Sequence, residues 1–235
     1  MADQSSGAGQ RAQNHLVLSY LTLRRAIGQL GLFLPAALLA YAGVFGGGLL
    51  PTISDYYYSP MREVFVGTLC ALSVFLWSYR GYADGTRWLN DRNVARVASL
   101  GILGVAWIPT LPSEPGPVVC TMAQCLLGVT WASRLHYACA VAFFAALAVF
   151  CLVLFVRGGS KTPEKRASNR LYRICGWVIV ACMVLIAVAS VWLPREVIAR
   201  WSLVFWLEAL ATVAFSVSWQ VKGDGLRPLV RLVER

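Results

Sequence analysis

The sequence predicts an all-α protein, a polytopic membrane bundle of about six transmembrane helices with both termini in the cytoplasm. Three observations carry that prediction. Of 235 residues, 58% are hydrophobic and only 14% charged, whereas a soluble domain is nearer one quarter charged. Six apolar stretches (26–49, 61–79, 94–111, 135–156, 172–193 and 199–219) approach the ~20 residues needed to cross a bilayer as a helix. With the amino terminus inside, 17 of the 21 Lys and Arg fall on the inner face, leaving Arg62, Arg134, Arg195 and Arg200 outside. That asymmetry orients membrane helices. Continuous apolar runs, without the alternation of a barrel strand, leave helices as the spanning form.

The elements follow in order. Residues 1–15 are polar and rich in Ser, Gly and Gln, which predicts a disordered cytoplasmic tail. The stretch 16–221 forms the transmembrane domain, and 222–235 is a second cytoplasmic tail. Residues 16–25 extend the first helix into the interface. Pro35 is expected to kink that helix, and Gly46-Gly-Gly48 followed by Pro51 to end it. Ser59-Pro60 reads as the start of the second helix, with Ser59 as its cap. Residues 117–131 are apolar but too short to span. A further crossing there would also invert everything downstream, so they are expected to form an outer-face or re-entrant cover. Ser133 is the expected cap of the fourth span. The polar stretch 157–171 is a cytoplasmic loop. Tyr and Trp gather near both ends of the spans, as interfacial anchors do.

The net charge of +10 is accounted for by this topology. It draws anionic lipid to the inner face, and no nucleic-acid motif accompanies it. Small residues four apart (Ala36/Ala40, Gly43/Gly47, Ala95/Ser99, Ala138/Ala142) predict close helix approach within the chain. A self-association face is the alternative. The positive-inside bias places the protein in a plasma membrane, the inner membrane if the source is bacterial.

No phosphate loop, serine-hydrolase elbow, zinc-protease motif or dinucleotide fingerprint is present, so no cofactor and no metal site is expected. Five of the seven cysteines lie in spans and read as packing. Cys120 and Cys125 lie outside, where five residues of separation permits a disulfide. Glu208 stands out as the acidic residue deepest in a span, roughly 14 Å from Ala199 at 1.5 Å per residue. Thr212, Ser216 and Gln220 follow it on one face. His136 sits near the outer end of the fourth span. The densest polar cluster joins spans one and two outside, and offers Ser54, Asp55, Tyr56, Tyr57, Tyr58 and Arg62. Each has a plain structural alternative: an interfacial loop, a capping histidine, a hydrogen-bonded glutamate.

Pro51-Thr-Ile-Ser-Asp55 resembles the P-x-I-S-D pattern of the DRAM-like superfamily of small multi-pass proteins. His136, opening the span H-Y-A-C-A-V-A-F-F, adds a second point of resemblance. Bacterial members of unknown function resemble it further in Tyr56-Tyr-Tyr-Ser-Pro60, Arg62, Val64-Phe-Val-Gly67 and Tyr79-Arg-Gly-Tyr82. The Tyr triplet departs from the eukaryotic autophagy modulators. The resemblance implies a six-span bundle without established catalysis, and gives Ser54, Asp55 and His136 weight as an outer site.

The expected function is non-enzymatic: binding or organising lipid, or another amphipathic molecule, through an outer polar pocket. Two alternatives stand beside it. One is a proton- or ion-coupled transporter using Glu208. The other is an intramembrane lipid hydrolase of the alkaline-ceramidase type.

Overall fold

A computed structural model describes residues 2–81, 88–111, 120–157, 162–226, 230, 232 and 233, with side chains described from Tyr20 onward. Tyr82, Arg87, Lys161, Arg227, Arg231 and Arg235 fall outside these residues, as do the side chains of Arg11 and His15. The described chain is all-helical. Its elements are α1 (Ala2–Val44), a 3-10 turn (Ser54–Tyr58), α2 (Arg62–Ser78), α3 (Asp91–Trp107) and α4 (Met122–Leu127). Then come α5 (Val129–Val149), a π-helical turn (Phe150–Leu154), α6 (Pro163–Trp192), α7 (Arg195–Arg200) and α8 (Leu203–Lys222).

Four of these helical segments are long and apolar enough to cross a membrane: Tyr20–Val44, Val129–Leu154, Pro163–Trp192 and Leu203–Lys222. Helices α2 and α3 have 17 residues each.

The six long helices close a ring. Each packs on its neighbours in the order α1, α2, α3, α5, α6, α8, and α8 returns to α1. Aromatic side chains fill the ring towards one end. Trp219 of α8 lies 4.9 Å from Tyr79 and 5.3 Å from Phe150, centroid to centroid, and Phe155 and Phe215 complete the stack. Edge-to-face geometry dominates, as the ring quadrupole favours. The outer surface is apolar on every long helix: Phe33, Val74, Leu100, Val141, Leu185 and Leu210 are each at least half exposed.

Two interfaces depend on missing side chains. A Cβ on Gly28 would stand 2.9 Å from the Ser216 carbonyl oxygen, and one on Gly31 would meet the Ser216 hydroxyl and the Phe215 ring. This lets α1 lie against α8. A Cβ on Gly101 would stand 2.9 Å from the Cys139 carbonyl and 3.0 Å from the Phe143 nitrogen, which brings α3 onto α5. Of the small-residue pairs expected to pack, Ala95/Ser99 is buried, and Ser99 exchanges hydrogen bonds with Ser73 across α2 and α3. Ala36, Ala40 and Ala138 face outward, and Gly47 lies beyond the end of α1. Spacing alone does not say which way a helix face points.

Several boundaries differ from expectation. The amino-terminal residues from Ala2, expected to be disordered, are helical and continuous with α1. The first helix runs through Pro35 and stops at Val44, where Gly46 and Gly48 take φ +66° and +70°. Such values are open to glycine at little cost. Ser59 does not cap α2. Its hydroxyl bonds the Tyr56 carbonyl and the Met61 N–H, making a turn ahead of a helix that begins at Arg62. Of the stretch 117–131, expected as a cover, 117–119 lie outside the described residues, Met122–Leu127 form α4, whose start is a capping box of Thr121 and Gln124, and residues from Val129 belong to α5. Gly128 at φ +77° then turns the chain straight into α5. Ser133 is therefore inside α5 and caps nothing; it donates to Val129 O and accepts from Leu111 N. Residues 163–171, expected as loop, form the first turns of α6, capped by Thr162 with Pro163 at its first position.

Candidate functional site

Call the end where α1 finishes and α2 begins the upper end. The chain there is a knot of short-range polar contacts. Asp55 is buried in the loop. Its carboxylate accepts from the Thr52 N–H (3.1 Å) and the Thr52 hydroxyl (2.9 Å), while the Asp55 N–H donates back to the Thr52 hydroxyl at 3.0 Å. This reciprocal pairing fixes the 3-10 turn, as Asx motifs do. It sets the direction of the preceding side chain, Ser54.

Ser54 Oγ lies 2.9 Å from His136 Nε2 on α5. His136 Nδ1 lies 2.6 Å from the carbonyl oxygen of Ile108, just beyond α3. His136 is 2% exposed, while Ser54 is half-buried. One side chain of the loop thus meets one of α5, and the histidine is held against the end of α3.

Helix α8 grips the same loop from the other side. The Ile53 N–H donates to Glu208 Oε2 at 2.8 Å, the Phe205 N–H donates to Pro51 O at 3.0 Å, and the Ser202 hydroxyl to Leu49 O at 3.4 Å. Glu208 lies nearer the start of its helix than the apolar run suggested. Helix α8 begins at Leu203, four residues later than the apolar run suggested, so the carboxylate sits in the second turn. The polar stripe below it is also turned inward on its own backbone. Thr212 donates to Glu208 O and Ser216 to Thr212 O, one turn back in each case. Gln220 reaches Arg25 O.

The three tyrosines diverge. Tyr56 is fully buried and its hydroxyl accepts from the Leu50 N–H. The Tyr57 hydroxyl accepts from Arg62 (2.7 Å), whose guanidinium also lies over the Tyr57 ring. Tyr58 donates to Thr110 O at 2.5 Å and accepts from Gln124 of α4 at 2.8 Å. Burial pushes the Tyr56 and Tyr58 phenols above their usual range, so both stay neutral. The structure therefore brings Ser54, Asp55, His136 and Glu208 together, with Tyr58 and α4 closing one side. Tyr56 belongs to the core, and Arg62 is taken up by Tyr57.

Cys120 and Cys125 are bonded to each other, with 5.6 Å between their Cα atoms, and brace the start of α4. Among the described residues, no three His, Cys, Asp or Glu gather in a way that would hold a metal ion.

A second polar centre, at the opposite end, is illegible in the sequence. Arg24 is 3% exposed. It lies over the Tyr20 ring at 4.3 Å and bonds the Tyr79 hydroxyl and the Lys222 carbonyl. Tyr79 in turn donates to Asp91. Four helices meet there. In the charge pattern Arg24 is indistinguishable from the exposed Arg25; only the joining of residues 24, 79, 91 and 222 separates them.

Compared with known proteins, the chain matches no family model, no curated protein and no solved structure.

Proposed function

We propose that this chain is an integral membrane protein of six spans, with both termini inside, that binds a lipid or other amphipathic molecule at its upper, outward-facing end. The observation that carries this reading is the bond between the half-buried Ser54 and His136, with Glu208 bonded to the adjacent Ile53, so that three separate parts of the chain converge there. The polar group lies at the rim of a bundle whose outer surface is apolar, where an amphiphile has its head group and tail in matching surroundings. The distribution of Lys and Arg supports the orientation, with the four outer arginines all at the upper end. The Cys120–Cys125 bond agrees with an oxidising face there. The outward apolar side chains on α2 and α3 support counting both as spans. The likeness of Pro51–Asp55 and His136 to DRAM-like proteins supports the same site, since these two segments touch.

The transporter alternative draws less support. Thr212 and Ser216 spend their hydroxyl protons on their own helix, so they do not continue a proton path from Glu208.

Native mass spectrometry of the protein released from mild detergent tests the reading. The wild type is expected to carry a bound amphiphile, and His136→Ala to lose most of it while keeping its elution volume. A wild type without bound amphiphile, or equal retention in the variant, overturns it.

A further inference from the structure

The hydrogen bonds at His136 have a direction. The Ile108 carbonyl can only accept, so His136 Nδ1 carries a proton. In the neutral ring Nε2 is then a bare lone pair, and at 2.9 Å the Ser54 hydroxyl must be its donor. The sequence Ser O–H to imidazole to fixed acceptor is the polarity of an activated serine, with a backbone carbonyl where serine hydrolases place a carboxylate.

The placement agrees with that polarity. The base is buried on a helix, packed by the Ile108 contact and unable to swing away, while the nucleophile is half-buried on the loop and approachable. The Asp55 carboxylate, locked by Thr52, is one residue away.

We infer that Ser54 is a nucleophile, with His136 as its general base, acting on carboxylic esters of amphipathic molecules at the outer membrane surface. This rests on the binding reading given above. Ser54 Oγ bonds to the ester carbonyl carbon as its proton passes to Nε2. The acyl C–O bond then breaks, and the leaving alkoxide takes the proton from Nε2 and departs as an alcohol. Water, giving a proton to the same nitrogen, attacks the acyl-serine. The acid is released, and the proton returns from Nε2 to Ser54 Oγ. The net change is ester plus water to alcohol plus acid.

The test uses the full chain in mild detergent and a long-chain alkyl fluorophosphonate. An activated serine forms an O–P bond with this probe and expels fluoride. Peptide mapping is expected to find the phosphonyl group on Ser54. Labelling should vanish in Ser54→Ala, slow at least tenfold in His136→Gln, and stay at the wild-type rate in Ser133→Ala. Wild-type protein that elutes as a folded species yet is never labelled on Ser54 overturns the inference, whatever the variants do. Equal rates in wild type and His136→Gln overturn the role of the base. Bound amphiphile without labelling removes the nucleophile and leaves the binding site. Labelling without bound amphiphile removes the binding reading and leaves an activated serine.

Discussion

At the scale of single residues, what counts is whether a polar group is held by partners far away in sequence. Arg24 and Arg25 are neighbours with the same weight in a charge tally. Arg25 is exposed, with its Nε on the Gly223 carbonyl. Arg24 is buried among Tyr20, Tyr79 and the end of α8. Removing the guanidinium of Arg24 strands buried acceptors, which costs about 1–3 kcal/mol for each group left without a bond. Arg24→Met is therefore expected to lower the thermal midpoint in detergent well below that of Arg25→Met. Equal midpoints would sink the account of this centre. Glu208 teaches the converse. It was conspicuous in the sequence because it is a carboxylate in an apolar run. The structure uses it near a helix end, to satisfy the Ile53 N–H.

At the scale of elements, the apolar runs located every long helix but misplaced their ends. Hydropathy records which residues tolerate lipid, whereas helix ends are set by local hydrogen bonds. Capped by Thr162, α6 starts nine residues ahead of the apolar run, because Glu, Lys, Arg and Ala are good helix formers that carry a helix into water. Gly128 starts α5 six residues ahead of the expected point for a conformational reason, its positive φ. The small-residue pairs show a related limit. Pattern gave candidates, of which Ala95/Ser99 packs; Gly28/Gly31 and Gly101 pack as well, and outward-facing alanines share the four-residue spacing of the candidates. Gly101→Ala pushes a methyl onto α5 backbone that has no flexible end to move aside. Overpacking of this kind costs about 1–3 kcal/mol. A clear fall in thermal midpoint is expected for Gly101→Ala and none for Gly67→Ala, where a Cβ meets nothing within 4 Å. If the two variants melt alike, the close α3–α5 approach is wrong.

For the whole molecule, the candidate site was half legible. The loop 51–58 and His136 stand out in the sequence through residue type and through the resemblance of their motifs. That Ser54 makes the 2.9 Å hydrogen bond to His136 goes with the Thr52–Asp55 pairing, a three-residue matter that composition cannot rank. Orientation is the property of the whole chain that the site depends on. Single cysteines at Met122 and Glu196, in a background without the five free thiols, should react with an impermeant maleimide on sealed cells. One at Glu164 should react only after permeabilisation. Labelling of the Glu164 position from outside would turn the molecule over and put Ser54 on the wrong face.

The ring has one more consequence, and it concerns birth and not function. Helix α1 finds its closest-packed partner in α8, the last long helix to leave the ribosome. Until then the Gly28/Gly31 face has no protein to lie against, and the Ile53 N–H has no acceptor from α8. Nearly the whole chain must be inserted before either is met. During synthesis the chain therefore passes through forms in which the seam beside α1 is still open. Every premature stop upstream of α8 leaves the same defect, a gap beside α1.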